Sequence, residues 1–189
     1  MTMEDAELRE VIRRAQEGEA AAFARLYEQY HRRVFGLCRK ILGTEDAAED
    51  ATSEVFERLH RVLDHYDIER PFSRWLLTLA SNHCLNRLRR RHLERRLFAE
   101  EPSDAPAEVS SSSPLVACES QQERRALLQA LETLPESYRL PLVLKYYGDL
   151  SYDEIAEQIG KDRNHVAVLL HRGKQALRRN LDARPKEAR

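Results

Sequence analysis

Six arginines pose the first question of this sequence: Arg87, Arg89, Arg90, Arg91, Arg95 and Arg96 fall in one short stretch. A guanidinium is permanently charged and its planar fork matches the oxygens of a phosphate, so the cluster reads either as a solvated helix end or as a surface that meets nucleic acid. A second cluster has the opposite sign, with Glu45, Asp46, Glu49, Asp50 and Glu54 close together. The formal net charge of −1 hides this separation. It excludes a chain that coats nucleic acid indiscriminately, and two surfaces of opposite sign imply two different partners. Nothing around them resembles bond-making machinery. There is no Walker A loop, nucleophile elbow, HExxH pair or glycine-rich phosphate cradle, so an enzyme is not expected. Cys38, Cys84 and Cys118 lie far apart and form no CxxC or zinc-ligand spacing, and His31, His60 and His83 read as helix-face residues. No metal and no cofactor are expected.

The arginines need a scaffold, and Pro71 to Arg91 supplies it. Pro71 suits a helix start, and Phe72, Trp75, Leu76, Leu79 and Ala80 recur at helical spacing, so the front of this helix is packed while its far end, about 30 Å on, is cationic. Trp75, inside the stripe, is expected in the core, with a stacking role as the alternative. Three helices precede it. The first spans Glu4 to Glu17 with Leu8, Val11, Ile12 and Ala15 inward, and Gly18 stops it. The second carries Phe23, Leu26, Tyr27, Tyr30, Val34, Leu37 and Ile41 and ends at Gly43. The third, capped by Thr44, runs from Glu45 to about His65 on Ala48, Ala51, Val55, Leu59 and Val62, with Phe56 and Leu63 beside the stripe. Its acidic first turns complement the helix dipole. A loop over residues 66–70 leads into the arginine helix, and four helices with short connections form a bundle.

From residue 98 to 119 the periodicity disappears among Pro102, Pro106, Pro114 and the run Ser110 to Ser113, which reads as a linker. Helical spacing returns with Leu127, Leu128, Leu131 and Leu134, breaks at Pro135, and resumes through Tyr138, Leu142, Val143 and Tyr146. Ser151-x-x-Glu154 is a capping box opening a short helix with Ile155, Ala156 and Ile159 inward, closed by Gly160. Val166, Leu169, Leu170, Gly173 and Leu177 line the helix that follows. Short helix, glycine turn and longer basic helix make a helix-turn-helix, a pattern that binds duplex DNA. No strand is expected. No apolar run approaches the roughly eighteen residues needed to span a bilayer, and the composition fits a cytoplasmic protein with no membrane insertion. The predicted fold is all-α: an N-terminal four-helix bundle over 1–97, a flexible linker over 98–119, a helix-turn-helix domain over 120–182 and a tail over 183–189.

Read in order, the chain resembles the two-domain bacterial sigma factors of the extracytoplasmic-function (ECF) group. The segments that carry the likeness are Phe23-Ala24-Arg25-Leu26-Tyr27, the acidic run Glu45 to Phe56, Phe72-Ser73-Arg74-Trp75-Leu76 through Asn82, and Leu134-Pro135-Glu136 through Ser151-Tyr152-Asp153-Glu154-Ile155-Ala156. The resemblance implies a protein that binds core RNA polymerase, recognises the −35 and −10 promoter elements and helps open the duplex, with an anti-sigma factor as a further partner. It assigns Asp50, Ser53, Glu54 and Phe56 to the polymerase, Phe56 as an apolar anchor left available by its offset from the stripe. It places a pocket for a flipped base between the loop at Asp64 to Arg70 and Asn82, which gives Asp67, Arg70, Arg74, Asn82, Arg87, Arg89 and Arg90 to the −10 strand. At −35, Arg163, Asn164, His165 and Val168 are expected at base edges and Arg172, Lys174 and Arg178 at phosphates. Many members carry Lys-Ser-Arg where this chain has Ala167-Val168-Leu169, a loss of two charges that lowers salt sensitivity by about one unit of log-log slope per missing contact. The acidic linker residues Glu100, Glu101, Asp104 and Glu108 serve either as a solubilising tether or along the RNA path. A competing expectation is a helix-turn-helix regulator whose first bundle senses a ligand or dimerises.

Overall fold

The computed structural model describes the chain over residues 5–98 and 119–182. The linker and tail expectations, with Glu100, Glu101, Asp104 and Glu108, lie outside the described residues. Within them there are eight α-helices and one 3-10 turn, and no strand. They fall into two compact units, one within Met1–Asp104 and one within Ala105–Arg189.

The first unit comprises α1 (Asp5–Gln16), α2 (Ala20–Leu42), α3 (Glu45–Val62), the 3-10 turn Leu63–His65 and α4 (Phe72–Phe98). Helix α2 is the central element, packing against α1, α3 and α4. It buries Leu26, Val34, Leu37 and Ile41, which recur at helical spacing on one face. Helix α3 presents Ala48, Ala51, Val55 and Leu59 to it, and the two fully buried alanines allow a close approach. The reversal between them is made by Gly43, whose φ of +89° is left-handed and whose N–H closes α2 on the Arg39 carbonyl. Thr44 occupies the expected N-cap position in extended conformation, but its side chain makes no cap hydrogen bond. The α-helical part of α3 stops at Val62, three residues before the expected end, because the chain tightens there into the 3-10 turn.

Helix α4 departs most from its predicted face. Phe72, Leu76, Leu77, Ala80, Ser81, Cys84 and Leu85 are buried, whereas Leu79 and Trp75 are only half-buried. Trp75 lies at the rim, its ring 4.6 Å from Tyr66 and 5.9 Å from Phe72. The hydroxyls of the two fully buried residues Ser81 and Thr52 are satisfied locally, Ser81 donating to the Leu77 carbonyl at 2.8 Å and Thr52 to that of Ala48 at 2.7 Å, while the buried Ser73 Oγ has no partner among the described residues. Cys38 of α2 and Cys84 of α4 meet in this core with no exposed surface and hydrogen-bond each other. The bond to Cys38, together with burial, pushes the Cys84 thiol far above the usual range.

The second unit contains α5 (Glu119–Glu132), α6 (Glu136–Tyr146), α7 (Tyr152–Ile159) and α8 (Arg163–Asp182). Its core joins Ala130, Leu131 and Leu134 to Leu142, Val143, Leu144, Leu150, Ile155, Val166 and Leu170. Tyr146, predicted on the inward stripe, is 56% exposed, and Leu144 takes the buried place instead. The capping box forms as read: Glu154 N donates to Ser151 Oγ at 3.3 Å and Ser151 N to the Glu154 carboxylate at 2.7 Å. Gly160 ends α7 at φ +67°. Helix α8 approaches α6 at Gly173, where an added Cβ would meet Leu142 Cδ1 at 3.1 Å and the Tyr138 carbonyl at 3.3 Å.

Candidate polymerase and nucleic-acid interface

The acidic face of α3 divides between two neighbours. Asp50, Ser53 and Glu54 are exposed, as a docking surface requires. Phe56 is not: it is 4% exposed, packed 4.6 Å from the Tyr27 ring and 6.4 Å from His31. Its offset from the stripe turns it toward α2, not toward solvent, so it cannot be the free apolar anchor that was expected. It forms instead the floor of an open cleft of about 560 Å³ lined by Phe23, Tyr27, Ser53, Glu57, His60 and Arg61. Tyr27, 41% exposed, is the apolar surface a partner would meet. Phe23, Tyr27, His31 and Phe35 follow one another at intervals of four along α2, a ladder of which the sequence alone marks only Phe23 and Tyr27, as members of the buried stripe.

On its other side α3 faces α4 through ions. His83 Nε2 lies 2.8 Å from a Glu54 carboxylate oxygen, and Arg87 reaches Asp50 and Glu54, each at 3.6 Å. Arg87 therefore parts company with the other arginines. Its side chain, 30% exposed, turns back onto the acidic helix and shares two of the carboxylates expected to meet the polymerase. Desolvation holds the His83 imidazole below the usual histidine range, against the opposing pull of Glu54.

The remaining −10 residues spread along the start and outer face of α4. Asp67 and Arg70 pair at 3.3 Å in the loop, where the Asp67 carboxylate also accepts from Glu69 N at 3.1 Å. Arg74 follows on the first turn of α4, and Asn82, exposed, lies about 12 Å farther along the helix. Arg89 donates to the Asn86 side chain at 3.0 Å, and Arg90 is exposed. Behind the loop, Tyr66 is buried and its hydroxyl donates to the Arg70 carbonyl, and burial pushes this phenol up to about 12.

In the second unit Arg163, Asn164 and His165 are exposed on the first turn of α8, and Val168 follows at 45% exposed. Arg163 also pairs with Asp153 of α7 at 3.6 Å, and the Asp162 carboxylate caps the helix by accepting from His165 N at 2.8 Å. That hydrogen bond holds Asp162 below the usual carboxylate range. Arg172 is exposed, and Arg178 shares an exposed face of α8 with His171, Lys174, Gln175, Arg179 and Asp182. Lys174 sits 5.3 Å over the ring of the exposed Tyr146, and hydrogen bonding to the Tyr146 side chain raises its affinity for the proton. Tyr146 is a residue the sequence offered no reason to single out, because its spacing reads as core.

With both surfaces placed, comparison with known proteins decides what they belong to. Residues 26–94 match Sigma-70 region 2, and residues 124–177 match Sigma-70, region 4. The chain is 32% identical over 176 residues to the ECF RNA polymerase sigma factor SigW of Bacillus subtilis, covering 90% of this chain and 94% of that protein. The chain belongs to the ECF sigma factor family. It is also 33% identical over 187 residues to the ECF RNA polymerase sigma factor BldN of Streptomyces coelicolor, covering 98% of this chain and 69% of BldN. Among solved structures, the sigma factor RpoE of Bartonella quintana shares the fold with a TM-score of 0.62 at 16% identity, over 86% of this chain and 98% of that one. CnrH does so with a TM-score of 0.57 at 22% identity, over 94% and 98%.

As an ECF sigma factor the protein is a non-enzymatic initiation factor that directs RNA polymerase to promoters. The competing expectation of a regulator with a sensory or dimerising bundle gives way, since most of α2, all of α3 and most of α4 match region 2. In this sigma factor the region 2 match takes in every expected polymerase and −10 residue, and the region 4 match all the −35 residues except Arg178. Among the described residues no helix is long and apolar enough to cross a membrane.

Proposed function

We propose that three surfaces of this sigma factor divide the work of initiation. The carboxylates Asp50 and Glu54, Ser53 and the neighbouring cleft between Tyr27 and Phe56 receive core RNA polymerase. The loop at Asp67 to Arg70, with Arg74, Asn82, Arg89 and Arg90, takes the unpaired −10 strand. The exposed first turns of α8, from Arg163 to Val168, read the −35 duplex while Arg172, Lys174 and Arg178 hold its phosphates. The functional limits are 1–97 and 120–182, and the protein works in the cytoplasm. What supports the scheme is the exposed acidic row of α3 beside an open aromatic cleft, with the arginine helix on its other flank.

Promoter-dependent run-off transcription with purified core polymerase is the test. Tyr27→Ala is expected to weaken core binding by more than the modest fall in thermal midpoint that uncovering Phe56 brings, because a half-exposed ring contributes less to folding than to an interface. Asn82→Ala is expected to keep core binding and lose promoter opening, read as permanganate reactivity of unpaired thymines. Opening equal to the wild type would remove Asn82 from the −10 site.

The RpoE of Bartonella quintana was solved with the anti-sigma factor NepR, and CnrH with the cytosolic domain of CnrY. By analogy an anti-sigma factor holds this protein silent by covering the same aromatic cleft that the polymerase needs. Competition between core polymerase and a partner co-purified from cells, lost in Tyr27→Ala for both, is the expected outcome.

A further inference from the structure

We propose that Gln16, on α1, is a positioning residue for base recognition. Its amide nitrogen donates one hydrogen to the carbonyl of Leu63 and the other to the carbonyl of Tyr66, both at 2.9 Å. An amide turned the other way would set its oxygen against two acceptors, so the pair of carbonyls fixes its orientation. These carbonyls flank the 3-10 turn that ends α3 and delivers the chain to residues 67–70. The Leu63 carbonyl also accepts from Tyr66 N within the turn, whereas the Tyr66 carbonyl lies past the helix end, where such a group must be satisfied from elsewhere.

The rest of the loop is tied down in the same sense. Tyr66 N closes the 3-10 turn on the Leu63 carbonyl at 3.0 Å, and Arg70 N donates to the Asp67 carbonyl at 3.0 Å. The Tyr66 ring is wedged between Phe72, at 5.2 Å, and Trp75, at 4.6 Å. Arg9, also on α1, lies 3.9 Å from Glu69 across the exposed edge. The backbone of the loop is thus set before any strand arrives. A pocket that receives an unstacked base gains by being formed in advance, because ordering it on binding would draw on the energy that must hold the base out of the stack. Gln16 is the half-buried member of this arrangement that comes from another helix, and it lies outside the segment matching region 2.

The inference rests on the assignment of residues 67–70 to the −10 strand, and the experiment separates the two. Holoenzyme is assembled from core polymerase and the full chain, and single-stranded oligonucleotides with a randomised window are selected on it and sequenced. Gln16→Leu, similar in volume but without donors, is expected to flatten the base preference at one or two adjacent positions at least fivefold. Preference elsewhere in the window and core binding stay within twofold. Gln16→Lys, which restores donors on a flexible side chain one bond longer, is expected to recover most of that preference. A thermal scan of each variant accompanies the selection. An unchanged preference in Gln16→Leu, a uniform loss at all positions, or a loss in Gln16→Lys as deep as in Gln16→Leu overturns the positioning role. Asp67→Ala and Arg70→Ala serve as controls: if they leave every position unchanged, it is the assignment of the loop that falls, and the role of Gln16 with it.

Discussion

Arg87 bears a full positive charge in a helix of arginines, yet its guanidinium is engaged with Asp50 and Glu54. Those partners are well exposed, so each pair contributes well under about 1 kcal/mol to folding, and the consequence is one of allocation. Arg87→Met is expected to leave the salt dependence of single-strand binding by the holoenzyme unchanged. Arg90→Ala is expected to reduce the log-log slope by about 0.7. Titration of a labelled oligonucleotide from low to high salt compares them, and equal slope losses would return Arg87 to the DNA surface. No spacing rule in the sequence separates the two arginines, because the difference lies in which α4 positions face α3, a matter of how two helices cross.

His83 belongs to the same ion cluster and makes it sensitive to pH. Its surroundings are Glu54 and Asp50 with Arg87 and Arg58, and desolvation lowers its affinity for the proton in the fold. Above the ordinary histidine value both the folded and unfolded chains carry it neutral, and it contributes no pH dependence. Below that value the unfolded chain binds the proton first, so stability is lost as pH falls, until the lowered folded-state value is passed. The thermal midpoint of the wild type is expected to drop more between about pH 7 and pH 5.5 than that of His83→Gln. Parallel curves would show that the imidazole titrates alike in both states.

At the scale of elements, the capping box at Ser151 and the glycine stops were the most legible features, because each rests on chemistry confined to four or five neighbouring residues. Ser151→Ala is expected to cost about 1 kcal/mol by freeing one N–H at the start of α7. Measured as a shift in denaturant midpoint, a change within error would mean that solvent replaces the cap. The faces of α4 and α6 were less legible. Leu77 and Leu144 displaced Leu79 and Tyr146 from the predicted inward stripes, and Trp75 came to rest at a rim. A stripe drawn at 100° per residue locates the centre of a buried face, but its edges are set by the neighbouring helices. The cleft beside Phe56 was hidden for the same reason: whether an aromatic at the edge of a stripe is covered depends on the side chain opposite, here Tyr27.

Across the whole molecule, division into two helical units and the order of their motifs could be read from the chain, since periodicity, its loss and its return are properties of sequence alone. What could not be read is which charges cancel within a unit and which remain for partners. The sealed contact between Cys38 and Cys84 has a practical corollary. With Cys118 replaced by serine, both remaining sulfhydryls lie in the first unit with no exposed surface, so an alkylating reagent can reach them only when the seam between α2 and α4 parts. Their modification should be slow, nearly simultaneous and accelerated by urea, while damage confined to the helix-turn-helix leaves it untouched. The protein thus carries an internal gauge for one half of itself, and rapid capture of either sulfur by reagent in native buffer would show that this seam is looser than drawn.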